Sequence, residues 1–241
     1  MENFTFQGPL GEIECLVEPS RNGANAVLVM AHGFRGSRES GGRAAGVAYQ
    51  AAACCDVVRF NFTGTTVISL QVAELHAVIG EIRRRKPGCS IYLLGRSLGG
   101  AASIITASQD REISRLLLWA APNNLRETFL HVMTPEYYNR LDAGETLHFT
   151  DERGECELTP DFLTDFDKYD LSAMLAGWDG RPVLIMHCAG DETVLAEQAV
   201  RNARLLGGCA QLHIFPGGDH SFTEYSEEAG ALIASWLQEH Q

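Results

Sequence analysis

In the stretch Ile91-Tyr92-Leu93-Leu94-Gly95-Arg96-Ser97-Leu98-Gly99-Gly100, an apolar run passes through a glycine-framed serine into a helical pattern that extends to Ser108. A strand, a sharp turn and a helix in that order form the setting of a G-x-S-x-G nucleophile elbow. The turn is tight, so the positions two residues either side of the serine must be small, and glycine fills both. The hydroxyl then stands clear at the carboxyl end of the sheet. The helix N-terminus behind it supplies positive potential where an oxyanion would form.

Working outward, continuous apolar runs recur at Ala26–Ala31, Val57–Phe62, Leu116–Ala121 and Val183–Met186, with a shorter one at Leu212–Phe215. Unbroken rather than alternating, they read as strands buried on both faces. Phe4–Phe6 and Glu12–Val17 read as an N-terminal antiparallel pair. Between the runs lie helical patterns at Gly42–Ala53, Val67–Lys86, Leu98–Ser108, Val194–Leu206 and Glu224–Gln238. In the longest, Ile68, Val72, Leu75, Ile79 and Ile82 fall on one face. Strand–helix alternation of this kind predicts an α/β fold, a mostly parallel sheet with helices on both faces.

The rhythm breaks once, between Pro122 and Arg181, over 60 residues. Helix signals at Leu125–Met133 and Pro160–Tyr169 and hairpin signals around Thr150–Gly154 fall inside it. The expectation is one domain over residues 1–241, carrying a small cap insertion at about 122–181. From Asp142 to Asp170 the cap holds ten acidic residues against Arg153 and Lys168. It also carries eight of the chain's twenty aromatics, to line an apolar pocket or to form the cap's own core.

The net charge of −12 is the wrong sign for a nucleic-acid binder. No apolar run approaches the roughly 18 residues of a membrane span. The opening Met-Glu-Asn-Phe-Thr-Phe has neither the basic nor the apolar region of a signal peptide. Seven cysteines, an odd number without C-x-x-C, read as free thiols in a reducing compartment, so the expected location is cytoplasmic. No histidine pair has metal-ligand spacing, and neither a metal nor a cofactor is expected.

A serine nucleophile needs a base and an acid that orients it, in the chain order serine, acid, histidine for this topology. Asp191 follows the strand Val183–Met186, and His220 follows Leu212–Phe215, so both should emerge at the same sheet edge as Ser97. Asp219 and Glu192 are rival acids. Asp219, adjacent to His220, is badly placed to reach its neighbour's ring. His32-Gly33-Phe34-Arg35-Gly36 follows Ala26–Ala31, and its glycines allow a turn whose backbone faces the elbow. The N–H groups of Phe34 and Leu98 are the expected oxyanion hole. His32 is assigned a structural role, hydrogen-bonding that loop.

Together, His32-Gly33-Phe34, Gly95-Arg96-Ser97-Leu98-Gly99, Asp191 and His220 resemble the α/β-hydrolase superfamily, and within it the small carboxylesterases that include the cinnamoyl and feruloyl esterases. The resemblance spans nearly the whole chain. It implies an eight-stranded sheet, a short cap after the sixth strand, and an acyl-serine mechanism without cofactor. Two features depart from the family. Phe62-Thr63-Gly64-Thr65-Thr66 runs almost directly into a helix where a longer loop is usual. Arg96 precedes the nucleophile where histidine is commoner, and with Arg35 and Arg38 it brings positive charge toward the mouth.

The expected function is hydrolysis of small acyl or aryl esters, with a small-molecule ester as partner and no nucleic acid. A peptidase or thioesterase on the same fold is the alternative. From another class, a non-catalytic hydrolase-fold binding protein would typically lack a triad member, and none is missing.

Overall fold

The computed structural model describes residues 1–151 and 154–240. The chain opens with the antiparallel pair β1 (Phe4–Gln7) and β2 (Glu12–Glu18). It continues through β3 (Ala26–Ala31), α1 (Arg43–Ala51), β4 (Asp56–Phe60), α2 (Ile68–Arg85), β5 (Ser90–Arg96), α3 (Leu98–Gln109) and β6 (Ile113–Trp119). The insertion follows, with α4 (Leu125–Val132), α5 (Pro135–Asp142), the hairpin β7 (Leu147–Asp151) and β8 (Gly154–Leu158), α6 (Asp161–Thr164) and α7 (Leu171–Ala176). The chain closes with β9 (Val183–Cys188), α8 (Ala196–Leu206), β10 (Ala210–Phe215) and α9 (Ser226–Glu239).

Eight strands form one sheet in the order β1-β2-β4-β3-β5-β6-β9-β10. β2 runs antiparallel to β4, and from β4 to β10 every pairing is parallel. The expected eight-stranded, mostly parallel sheet is therefore present. Its apolar runs are unbroken because alternate residues serve two cores. Val27, Val29, Ile91 and Leu93 join the apolar cluster on one face with residues of α2 and α3. Leu28, Met30, Tyr92 and Leu94 join the cluster on the other, with residues of α1 and α9. Both faces are thus dry, as a parallel sheet requires.

The insertion differs in detail from the expected pattern. Residues 160–169 do not form one helix. α6 stops at Thr164 and a short 3-10 turn, Asp165–Lys168, follows. Asp165 there turns toward α2 and accepts from Ser69 N (2.6 Å) and Ser69 Oγ (2.9 Å), satisfying a donor at the start of that helix. α5 and α7 are short, with a single apolar step each, Tyr138 to Leu141 and Leu171 to Leu175, and both have N-caps: Thr134 accepts from Tyr137 N before Pro135, and Asp170 accepts from Ala173 N. The hairpin lies where expected, though Glu152 and Arg153 at its turn fall outside the described residues.

The phenylalanines of this segment form an aromatic group continuous with the apolar cluster on the α2 and α3 face of the sheet. Phe129, Phe162 and Phe166 lie within 4.7–5.4 Å of one another, ring centroid to centroid. Phe34 joins them at 5.5 Å from Phe129 and 5.3 Å from Phe162. Phe162 is fully buried at the centre of this group. Phe162→Ala is expected to lower stability by about 3–5 kcal/mol, the usual effect of emptying a phenylalanine site. Urea unfolding measures it, and a loss well under 1 kcal/mol would show that the cap does not depend on this core.

Candidate functional site

Ser97 is the single residue between β5 and α3, with φ 53° and ψ −125°. That conformation is strained for a residue with a side chain and costs on the order of 1–3 kcal/mol. The surrounding glycines make it possible. A Cβ on Gly95 would lie 2.3 Å from Gly99 O, and one on Gly99 would lie 2.3 Å from His32 O. A Cβ on Gly100 would lie 2.4 Å from Ala121 Cβ. Gly95 and Gly99 thus mark places where two backbone segments meet too closely for any side chain, and Gly100 a place where the chain meets the Ala121 side chain. Gly33 belongs with them, because its Cβ would sit 2.9 Å from Ser97 Cβ. Ser97 N donates to Trp119 O at 2.9 Å and Ser97 O accepts from Gly100 N at 2.7 Å, fixing the turn from both sides.

The three chemical side chains meet because their strands are parallel and end at one edge of the sheet. Ser97 Oγ lies 3.0 Å from His220 Nε2. His220 Nδ1 lies 2.7 Å from Asp191 Oδ2. The other oxygen, Asp191 Oδ1, accepts from Thr193 N and Val194 N, both at 2.9 Å. With its carboxylate on one ring nitrogen, His220 carries its proton on Nδ1 and offers a lone pair to the serine.

A second histidine also reaches the acid, and the motif pattern gave it no role. His187, wholly buried in β9, places Nε2 2.7 Å from Val194 O and 3.2 Å from Asp191 Oδ2. Val194 O can only accept, so the His187 proton is on Nε2 and is shared between the two oxygens. Burial alone would push the Asp191 carboxyl up. Hydrogen bonds from His187, His220 and Val194 N, with the charge of His220, outweigh burial and hold it far below the usual carboxylate range. Asp191 therefore stays ionised. The sequence signal was available: His187 sits four residues before Asp191 at the same strand end.

The rival acids are not the carboxylate on the His220 ring, which is Asp191. Asp219 accepts from Thr223 N at 2.8 Å and Thr223 Oγ1 at 2.7 Å. Glu192 is exposed, and its backbone carbonyl faces His131 Nε2 at 3.0 Å. His32 is also committed. Its Nε2 accepts from Phe62 N (3.1 Å), so Nδ1 carries the proton and donates to Gly33 O (2.9 Å). Burial pushes its pKa down, against the pull of the Gly33 carbonyl, so His32 stays neutral and ties the 32–34 loop to the end of β4.

A cleft of about 860 Å³ opens over Ser97 and His220, with Phe34, Leu98, Phe129 and Val132 among its apolar lining. Leu98 is the first residue of α3, so its N–H has no acceptor within the helix. Phe34 lines the same cleft. Of the three arginines noted near the mouth, Arg35 and Arg96 line the cleft. Arg38 turns away to Glu14 on β2, at 2.9 Å. Arg35 is paired with Asp151 at 2.5 Å, and Asp151 is the only acid among the described lining residues. The other cap acids are largely spent within the cap. Asp142 and Asp167 hold Arg126, Glu145 holds Arg140, and Asp165 holds Lys168.

Among the described residues no group of three or more His, Cys, Asp or Glu is placed to hold a metal. No helix among them is long and apolar enough to cross a membrane.

The chain is similar in structure to Est1E from Butyrivibrio proteoclasticus, with TM-score 0.80, 16% identity, and 99% of this chain and 98% of that one covered. Est1E has also been solved with ferulic acid bound. The esterase domain of a Rhodothermus marinus protein gives TM-score 0.77 at 17% identity, covering 99% and 98% of the two chains. A serine hydrolase without lid, XC6422 from Xanthomonas campestris, gives 0.70 at 17%, covering 99% and 94%. No curated protein matches the chain in sequence. Residues 28–235, from inside β3 to inside α9, match the model of the alpha/beta hydrolase family, and the chain belongs to that family.

Proposed function

We propose that the chain is a serine carboxylesterase acting on small acyl or aryl esters, with the segment 122–181 as the cap of a single catalytic domain. The observation that carries this is the unbroken line from Ser97 Oγ through His220 to the buried, ionised Asp191. In the proposed reaction Ser97 Oγ attacks the acyl carbon while His220 Nε2 takes its proton. The N–H groups of Leu98 and Phe34 hold the resulting oxyanion. The carbon–oxygen bond to the alcohol then breaks, the leaving oxygen takes the proton from His220, and an acyl-serine remains. Water, deprotonated by the same nitrogen, releases the acid and restores Ser97.

An aminopeptidase of this fold would need an uncompensated carboxylate in the cleft for the substrate ammonium. The only described acid there, Asp151, is already bound by Arg35. The apolar wall of Phe34, Phe129 and Val132 suits an acyl or aryl group instead. Short-acyl and aryl p-nitrophenyl esters are expected to be turned over clearly, and aminoacyl p-nitroanilides little, compared by kcat/KM. Faster release from the anilides would transfer the assignment to a peptidase.

A further inference from the structure

The lining of the cleft differs by element. The cap side contributes the apolar residues of α4, Phe129 and Val132. The loop leading from β3 into α1 contributes Ser37, Ser40, Gly41 and Arg43, and Arg96 and Ser221 adjoin them. Arg43 is the unusual member. It is half-buried, makes no ion pair with a described residue, and its Nε is buried without a hydrogen-bond partner. In a chain of net charge −12, in which most other arginines are matched to carboxylates, a guanidinium left open in a cleft is a site for an anion.

This cationic side borders His220. Arg96 Nη2 donates to His220 O at 3.0 Å, and Ser221 is the next residue in the chain. Arg43 also acts on the neighbouring Asp219. That carboxyl is held below its usual range first by Thr223 N–H, against a push from burial, then by the Thr223 hydroxyl and by Arg43. Since His220 must hand its proton to the departing oxygen, the group beside His220 is the alcohol, not the acyl part.

We propose that the cleft is built for esters whose alcohol portion carries an anionic group, and that Arg43 binds that group. This rests on the esterase reading and narrows it: an apolar acyl part lies against the cap, and a negatively charged alcohol lies against the 37–43 loop. The overall negative field of the protein does not attract such a substrate, so the recognition is local to the cleft.

The test compares 4-acetoxybenzoate with 4-acetoxybenzamide, which share shape and differ in charge on the alcohol side. Each kcat/KM is divided by the ester's rate of alkaline hydrolysis. The carboxylate is expected to be favoured by about tenfold, the advantage shrinking as NaCl is raised. Arg43→Gln is expected to bring the ratio close to one, and Arg43→Lys to retain part of it. The same charge on the acyl side, p-nitrophenyl hemisuccinate against p-nitrophenyl butyrate, is expected to bring no gain. A ratio of one or less in the unaltered enzyme overturns the subsite and leaves the esterase reading standing. A preference that survives Arg43→Gln, or that appears only with the acyl-side charge, overturns the assignment to Arg43 and the alcohol. Failure to hydrolyse any of these esters overturns the esterase reading and this inference with it.

Discussion

Ser97→Ala is expected to lower kcat for ester hydrolysis by on the order of 10⁶, the scale seen when the serine of a working triad is removed. Labelling by a fluorophosphonate probe should vanish with it. The substitution is a clean test because it leaves the turn intact. Alanine has the same Cβ as serine, so it meets the φ of 53° with the same strain, and it removes only the atom facing His220. Thermal unfolding should therefore change little while activity is lost. An alanine variant that keeps its esterase activity would rule out the acyl-serine mechanism.

Asp191→Asn is the second large effect, a fall in kcat of about 10³–10⁴. Two backbone donors, Thr193 N and Val194 N, hold Oδ1, and an asparagine would keep its oxygen toward them. Its amide nitrogen would then face His220 Nδ1, which also carries a proton. To avoid two opposed donors His220 must move its proton to Nε2, where it can no longer accept from Ser97. The loss comes from the wrong tautomer, not from lost packing. Asp219→Asn disturbs the Thr223 contacts and removes the charge near Arg43 but leaves the His220 ring contacts intact, and should have a much smaller effect on kcat. If kinetics placed the larger loss at position 219, the orienting acid would be wrongly assigned.

The elbow was legible in the sequence because its demands are local. A buried strand, glycines at fixed offsets and the start of a helix all fall within ten residues, and each glycine answers a close approach of another part of the chain. Asp191 and His220 were legible because a parallel sheet brings strand ends together whatever lies between them. The cap was read more coarsely. Its short helices are set by caps and contacts, such as Asp165 on Ser69, which leave no periodic trace. His187 and Arg43 escaped for a related reason. The spacing of His187 from Asp191 was a sequence signal, but its role depends on the Val194 carbonyl that the fold brings to it. Arg43 stands out because no carboxylate of a described residue reaches it within ion-pair distance, and only the folded chain shows that.

The position of the insertion has a consequence for how the protein's selectivity can change. β6 and β9, the strands on either side of residues 122–181, are hydrogen-bonded neighbours, with Trp119 opposite Met186. Because the pair is parallel, the segment leaves at the carboxyl end of β6 and must return to the amino end of β9, where Val183 lies opposite Leu116, so its two ends are held by the sheet at opposite edges. Lengthening or shortening the segment between pinned ends carries only a slow, logarithmic entropic penalty. The stretch before α7 is thus the part open to exchange, whereas α7, packed against α3 and α8, makes the return crossing to β9 and must be kept for the strands to hold their register. One condition travels with any replacement. It must present an aromatic wedge to Phe34, as Phe129 and Phe162 do now, or the loop beside Ser97 loses its backing.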